Sequence, residues 1–182
     1  FWSLDSKLSQ QRHFPSINWL DSYSQYSADV QAYNDEHIEA GWGERVRHFM
    51  ALLQEEASLQ EIVRLVGLDS LSEKDKLTLV IAAMIREDFL QQNAFDDVDT
   101  TTSEVKQLKL LHIINTFEEE AREAMRLGAY YKEIMEGTQE VREQIARAKY
   151  IPEEQIDQFD SIHDEIKASL KSVLERGGAA NA

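Results

Sequence analysis

The sequence contains no cysteine and few of the residues that interrupt helices. Its 182 residues include only seven glycines and two prolines. Without cysteine, neither a disulfide framework nor a cysteine-ligated zinc site can form. A β-sandwich or β-barrel needs turn residues at intervals of about 8–12 positions, which this sequence does not have. The composition therefore indicates a mostly helical protein.

Basic residues are also scarce. Lysine and arginine number 19 against 34 aspartates and glutamates, which leaves a formal charge of −15 at pH 7. Proteins that bind nucleic acid contact its phosphates through a basic face, so no nucleic-acid partner is expected. No apolar run approaches the roughly 18 residues of a membrane span, and we expect no direct membrane insertion. Because the sequence begins without methionine, we expect it to be a fragment of a longer protein.

From about residue 41 onward, apolar positions recur at spacings of three and four, which predicts successive amphipathic helices. The first begins near Gly43. A capping-box match at Ser58 and Glu61 predicts a break, and Gly67 is the expected C-cap. After the break, the predicted inner face consists of Leu59, Ile62, Val63 and Val66.

Capping residues and glycines predict the bounds of the later helices. These run from Ser72 to about Asn93, from Ser103 to Gly128, around Tyr131 to Gly137, from about Gln139 to Tyr150, and from Pro152 to Gly177 and Gly178. The predicted fold class is therefore all-α, a bundle of about five to seven helices over residues 41–182. Residues 1–40 are rich in aromatics without a helical period, so we interpret them as an irregular connector from a neighbouring domain.

Motifs for catalysis are missing. The sequence has no G-x-x-x-x-G-K-[ST], G-x-G-x-x-G or G-x-S-x-G pattern, so no catalytic residue is assigned. Asp97-x-Asp99-x-Thr101 looks like the start of a calcium loop, but Thr102 stands where the turn requires glycine. We therefore assign no metal site.

Several polar groups lie on or beside the predicted helix faces. His48, His112 and His163 lack the spacing of metal ligands, so we expect hydrogen-bonded histidines at or near the core. The run Glu118–Glu120 is expected to be a solvated helix face. Neither the histidines nor the acidic run predicts a catalytic or metal-binding site.

Two features admit a functional reading beside a structural one. The acidic turn Asp69–Asp75, with Leu71 at its tip, is either a capped surface turn or a partner contact. Phe14, which precedes Pro15, and Phe95, in a polar loop, are either core plugs or the walls of a flat apolar slot for an aromatic ligand.

The sequence resembles a known family at four places. The matching strings are RHFPSINWL at residues 12–20, LLQEE at 52–56, QEIVRLVG at 60–67 and MIREDFLQQNAF at 84–95. They look like the catalytic A subunits of archaeal A-type and V-type rotary ATP synthases, in which such strings belong to the C-terminal helical domain and its junction with the nucleotide-binding domain. The F-type catalytic β subunit is similar more distantly.

The resemblance implies a parent subunit that couples ATP synthesis or hydrolysis to ion transport. A preceding domain would carry the P-loop, the general-base glutamate and the magnesium site, so ATP or ADP with Mg²⁺ would bind to the parent. The fragment alone is expected to bind no cofactor and to be inactive. Its partners would be the B subunits, the central rotor stalk and the adenine nucleotide, in the cytoplasmic head peripheral to the membrane.

The resemblance also assigns residues. Phe14 lies in a segment similar to the Tyr-Pro-Ala-Val of the F-type β subunit, and Phe95 ends one similar to its Phe-Leu-Ser-Gln-Pro-Phe, with one residue inserted. Both become candidate adenine walls, while Thr100–Thr102 stands where the family has a further aromatic. The turn aligns with the rotor-facing Asp-Glu-Leu-Ser-Glu-Glu-Asp, which makes its acids and leucine candidate rotor contacts, namely Asp69, Leu71, Glu73 and Asp75.

A second interpretation remains open from the residues alone. An acidic helical domain can also be a stand-alone protein-interaction module with no nucleotide role. A P-loop domain encoded directly upstream would distinguish the first interpretation from the second.

Overall fold

The computed structural model describes the backbone of residues 1–180 and the side chains through Arg176. The strands are β1 (Ser3–Leu4) and β2 (Ile17–Asn18), and the helices are α1 (Ser6–Gln10), α2 (Ser27–His37), α3 (Trp42–Val66), α4 (Glu73–Met84), α5 (Glu104–Arg126), α6 (Tyr131–Gly137), α7 (Gln139–Arg147) and α8 (Gln158–Ala180). A π-helical segment (Ile85–Leu90) continues α4. The all-α prediction is confirmed, with six helices between residues 41 and 180 of the described chain.

Helix α3 runs without interruption through the predicted break, so that prediction was wrong. The Ser58 hydroxyl donates to the carbonyl of Gln54 at 3.4 Å, one turn back in the same helix, and does not cap a new one. Buried Leu52 and Leu59 lie on the same face on either side of Ser58, which favours one continuous helix. Gly67 ends α3 at φ +89°, as predicted.

The predicted caps of α4 and α5 are confirmed. The Ser72 hydroxyl accepts from the amide of Asp75 at 3.1 Å, and the Ser103 hydroxyl accepts from the amide of Lys106 at 3.1 Å. Gly128 adopts φ +106° and ends α5 in a Schellman motif. In that motif the amide of Ala129 donates to the Ala124 carbonyl at 3.0 Å.

The last helix differs from its prediction at both ends. Helix α8 begins at Gln158, while Pro152 precedes a separate 3₁₀ turn, Glu153–Gln155. The helix continues through Gly177 and Gly178 to Ala180. Neither a proline nor a pair of glycines thus marks a boundary of this helix.

The core surrounds α5, which packs along α8 and also contacts α4, α6 and α7. Its fully buried side chains include Leu77, Ile81, Ile114, Phe117, Ile134, Ile145 and Ile166. Each such side chain stabilises the fold by roughly 1.5–3 kcal/mol relative to exposure. Among the described residues, no helix combines the length and apolar content that crossing a membrane demands.

Residues 1–40 are more regular than predicted. Strands β1 and β2 pair antiparallel, with Ser3 opposite Asn18, and α2 packs on α3. Helix α2 escaped prediction because it buries no side chain and so has no apolar period. Polar contacts join it to α3 instead: the amide of Gly43 donates to Asp35 at 2.9 Å, and Arg47 donates to Gln31 at 3.0 Å.

Candidate functional site

The two phenylalanines singled out in the sequence belong to segments that meet at one end of the bundle. We call this the upper end (residues 12–15, 85–103 and 148–153). The amide of Gln92 donates to the carbonyl of Phe14 at 2.7 Å. Phe95 is 99% exposed and Phe14 is 51% exposed. The core-plug interpretation is therefore wrong for both residues: the Phe95 ring lies in solvent, and Phe14 is exposed over half of its surface.

Carboxylates and an amide fix the loop that carries Phe95. Asp99 is buried and accepts from the amide of Asn93 at 2.5 Å. Asp96 accepts from the amides of Val98 and Asp99 at 2.9 and 3.0 Å. The Asn93 side chain accepts from the amide of Phe95 at 3.1 Å. Such side-chain-to-backbone turns order a loop without a core, so Phe95 projects from a braced support.

One acid of the calcium-like motif has a structural role in this loop. Asp99 binds a backbone amide, so its carboxylate already has a structural partner. Within the described residues, no group of three or more histidines, aspartates or glutamates is arranged to hold a metal ion.

The π-helical segment leads into this loop. The Lys149 ammonium donates to the carbonyls of Glu87 and Gln91 at 2.9 and 3.1 Å, which satisfies backbone oxygens at the end of the segment. Burial raises the pKa of Asp88 to about 6, against the opposing effect of Lys149. π-Helical turns often occur at functional sites, and this one connects α4 to the Phe95 loop.

One histidine joins residues 12–15 to the π-helical segment, and no motif in the sequence indicates a role for it. His13 is 5% exposed; its Nδ1 lies 3.2 Å from the Pro15 carbonyl and its Nε2 lies 3.0 Å from the Arg86 carbonyl. The Arg86 guanidinium in turn binds Glu56 of α3 and, at 2.8 Å, Glu87. No sequence signal links these residues, because His13 and Arg86 are 73 positions apart.

The acidic turn lies at the opposite end of α4 and α5. We call this the lower end (residues 65–75 and 126–131). An α-helix of 23 residues such as α5 spans about 34 Å, which separates the two ends. Asp69 is exposed and Asp75 is half-buried in the first turn of α4. Leu71, however, is buried at 7% exposure.

The prediction of Leu71 as the exposed tip of the turn is therefore wrong. Residues Leu68–Ser70 form a 3₁₀ turn and Leu71 is extended after it. This change of backbone conformation leaves Leu68 as the exposed leucine of the turn, at 45%. A spacing pattern cannot anticipate the 3₁₀ turn, which changes the direction of every following side chain.

Glu73 has a structural partner of its own. Its carboxylate accepts from the amide of Tyr131 at 2.9 Å and from Lys76 at 3.2 Å. The hydrogen bond from Tyr131, followed by that from Lys76, lowers the pKa of Glu73. Glu73 thus connects the start of α4 to the start of α6.

Aliphatic side chains surround the acids at the lower end. Leu65 and Val66 are 77% and 65% exposed. The predicted inner face of this part of α3 was therefore wrong for Val66 and also for Ile62, which is exposed, although Leu59 is buried. Apolar spacing alone does not reveal where a helix extends beyond its neighbours, so the sequence does not identify these residues as surface candidates.

The other polar predictions fall outside both ends. His48 binds Glu118 at 2.8 Å and His112 binds Glu39 at 2.7 Å, which confirms these two as partnered histidines. His163 lies 3.7 Å from Asp164, beyond hydrogen-bonding distance. Glu118 is buried and also accepts from Arg122, so it does not belong to a solvated face.

The fold and these two ends define an all-α bundle domain with a braced aromatic loop at one end and an acidic turn at the other. The sequence profile of the family described as the C-terminal domain of V and A type ATP synthase matches residues 31–135. This is more than half of the chain, and the chain belongs to that family.

Curated relatives agree along the whole sequence. The V-type ATP synthase alpha chains of Streptococcus gordonii and Streptococcus sanguinis are 56% and 57% identical over 181 residues, and both matches cover 100% of this chain. That of Streptococcus pyogenes is 57% identical over 178 residues, or 98% of this chain. The chain spans about 30% of the length of each relative. All three relatives are bacterial, so the expected archaeal kinship finds no support among them.

Proposed function

We propose that this chain acts as the C-terminal domain of the catalytic subunit of a rotary ATP synthase or ATPase, helping to wall the adenine pocket and contacting the central rotor stalk. The parent would couple ATP synthesis or hydrolysis to ion transport in a head peripheral to the membrane, beside the B subunits. Membership of the family supports this proposal over a stand-alone interaction module.

The observation that carries the adenine assignment is the exposure of Phe95 on a braced loop, with Phe14 on the adjoining segment. A phenylalanine that is 99% exposed gains nothing from the core of this domain. Stacking on a nucleobase would contribute about 1–3 kcal/mol for each aromatic ring. The hydrogen bond between Gln92 and the Phe14 carbonyl keeps the two segments together, as a two-sided pocket requires.

The proposal divides the nucleotide between two regions of the parent. Uncharged rings suit the adenine, whereas a chain with a formal charge of −15 is a poor environment for phosphates. The part of the chain that the structure describes offers no cluster for a divalent ion. We therefore assign the phosphate and Mg²⁺ contacts of the bound ATP or ADP to the preceding domain implied by the resemblance, and expect this chain alone to be inactive.

The rotor contact is assigned to the lower end. Asp69 and Asp75 supply charge, while Glu73 also ties α4 to α6. Leu68 replaces the buried Leu71 as the apolar contact of the turn. A close-packed core deforms little under load, so the bundle would transmit displacement between its ends as a lever.

The adenine assignment is tested with Phe95→Ala and Phe14→Ala in the assembled complex. Loss of a stacked ring should raise KM for ATP about ten-fold with a smaller effect on kcat, since the ring orients the base and performs no chemistry. Tyr26→Ala, which removes another exposed ring, is the matched control. An unchanged KM in both phenylalanine variants would contradict the assignment.

The rotor assignment is tested with Asp69→Ala combined with Asp75→Ala. We expect fewer ions transported per ATP hydrolysed if these charges contact the rotor, with Leu68→Ala tested separately for the apolar contact. Normal coupling in the double variant would mean that these two charges are not required for the rotor contact. Normal coupling in a triple variant that also carries Leu68→Ala would contradict the assignment of this turn.

A further inference from the structure

His13 presents an unusual hydrogen-bonding arrangement beside the proposed adenine wall. The ring is buried, and each of its two nitrogens faces a carbonyl oxygen, that of Pro15 at 3.2 Å and that of Arg86 at 3.0 Å. A carbonyl oxygen only accepts, so the ring binds to these segments as a hydrogen-bond donor.

The backbone aims this ring. Arg12 adopts the left-handed conformation at φ +58°, where glycine is the usual residue. The amide of His13 then donates to the Leu8 carbonyl at 2.9 Å, and that of Arg12 donates to the Ser9 carbonyl at 3.0 Å. These two bonds form a Schellman motif that ends α1, so His13 follows a fixed reversal of the chain.

The acceptor on the other side is fixed as well. Arg86 belongs to the π-helical segment, and its guanidinium is bound by Glu56 from α3 and by Glu87. The His13 carbonyl accepts from the Ser16 hydroxyl at 3.0 Å, and the Phe14 carbonyl accepts from Gln92 at 2.7 Å. The His13 ring thus bridges two ordered segments, with Phe14 directly next to it in sequence.

In the described part of the chain, no carboxylate forms an ion pair with the ring, and Glu56 and Glu87 bind Arg86 instead. The backbone carbonyls of Pro15 and Arg86 are therefore the polar partners of the His13 ring.

We propose that His13 is a positioning residue whose buried ring ties the Phe14 segment to the π-helical segment and so sets the Phe14 ring for the adenine. The inference rests on the proposed adenine-wall role of Phe14. It adds that the shape of that wall depends on the contacts of the neighbouring His13 ring with the Pro15 and Arg86 carbonyls.

The test uses the intact subunit in its assembled complex, with His13→Phe and His13→Gln. Phenylalanine keeps a ring without hydrogen bonds, and glutamine keeps one amide donor group. His48→Gln is the control, because His48 also bridges two elements but pairs with Glu118, away from Phe14. We expect His13→Phe to raise KM for ATP about ten-fold with kcat within about two-fold, and His13→Gln to show a smaller rise.

A further measurement separates positioning from general stability. Amide hydrogen exchange at Gln92, without nucleotide, should be about ten-fold faster in His13→Phe and unchanged in His48→Gln. If His13→Phe assembles poorly, the same comparisons are made with His13→Gln, which retains one donor.

The outcomes distinguish the two proposals. If Phe14→Ala raises KM but the His13 variants change neither KM nor exchange at Gln92, the role of His13 is overturned and the adenine wall stands. If Phe14→Ala leaves KM unchanged, the adenine wall fails, and faster exchange at Gln92 still supports His13 as the clamp.

Discussion

The upper and lower ends of the bundle are built by different kinds of contact. At the upper end, His13 reaches Arg86 across 73 positions of sequence and Lys149 reaches Glu87 across 62. At the lower end, Gly67, Ser72 and the Schellman motif at Gly128 are satisfied within a few residues of the chain, and one long-range bond, from the Tyr131 amide to Glu73, is added to these. The proposed adenine wall therefore depends on tertiary contacts, while the proposed rotor contact depends mainly on helix caps.

The pKa of one carboxyl group at each end is also shifted in opposite directions. Burial raises the pKa of Asp88 at the upper end, while hydrogen bonds lower the pKa of Glu73 at the lower end. Ionisation at neutral pH therefore costs stability at one end and supports it at the other.

The largest expected effect comes from removing the ion pair that fixes the π-helical segment. Arg86→Met would leave the Glu56 carboxylate buried with only Gln60 as a hydrogen-bond donor. We expect unfolding of the chain to become easier by about 3 kcal/mol, measured by urea denaturation. Arg64→Met, which removes an exposed pair with Glu61, should have no measurable effect. Equal effects of the two variants would break the contrast between long-range and local contacts.

A close approach between helices gives the next effect. Gly137 ends α6, which begins at the lower end, and a β-carbon there would clash with Val173 of α8. Gly137→Ala should destabilise the chain by about 2 kcal/mol through overpacking. Combining it with Val173→Ala should cost less than the sum of the single changes, because the smaller side chain removes the clash. Simple additivity in urea denaturation would argue against this contact.

Replacing Asp88 should stabilise the chain, in contrast to the two destabilising changes above. Its pKa of about 6 lies above the ordinary value of 3.8, so the folded state loses stability as pH rises between these values. Asp88→Asn should stabilise the chain by about 1.5 kcal/mol at pH 7, after allowance for partial exposure. The gain should disappear below about pH 4, where both states are protonated. Asp97→Asn, at an exposed loop position, is the control, and a gain that does not depend on pH would contradict the burial argument.

Glu73 should show the smallest effect, with the reverse pH dependence. Its lowered pKa means that its contribution is complete above the ordinary value of 4.5 and is lost as pH falls through the folded-state value. The unmodified chain should therefore be more stable than Glu73→Gln at pH 7, and the difference should shrink on acidification. A constant difference across that range would mean that Tyr131 and Lys76 do not favour the charged form.

Local signals predicted a large part of this fold. Ser72 and Ser103 begin helices, and Gly67 and Gly128 end them, because a cap needs partners only a few residues away. The predicted polar loop around Phe95 is also present. Prediction failed at Ser58, whose hydroxyl bonds within a continuous helix, and at Pro152, which precedes a 3₁₀ turn and not the last helix. It also failed for α2, which lacks an apolar face.

The sequence identified residues of the candidate sites but did not predict which of them lie at the surface. Phe14 and Phe95 were named, but only packing decided that Phe95 is exposed and that Leu71 is buried. The contact made by His13 could not be predicted from the sequence, since its partner, the Arg86 carbonyl, belongs to a distant segment. Residue type and spacing do not state which distant group will approach a side chain.

The sequence by itself determined the helical class, most helix ends and the family, because these follow from composition, from hydrogen bonds within a few residues, and from strings of matching residues. The tertiary structure alone decided which aromatics face solvent, which leucine of the acidic turn is buried, and how His13 joins Phe14 to the π-helical segment. Exposure and long-range hydrogen bonding depend on how separate segments pack together. That packing is a property of the whole core and not of any one stretch of chain.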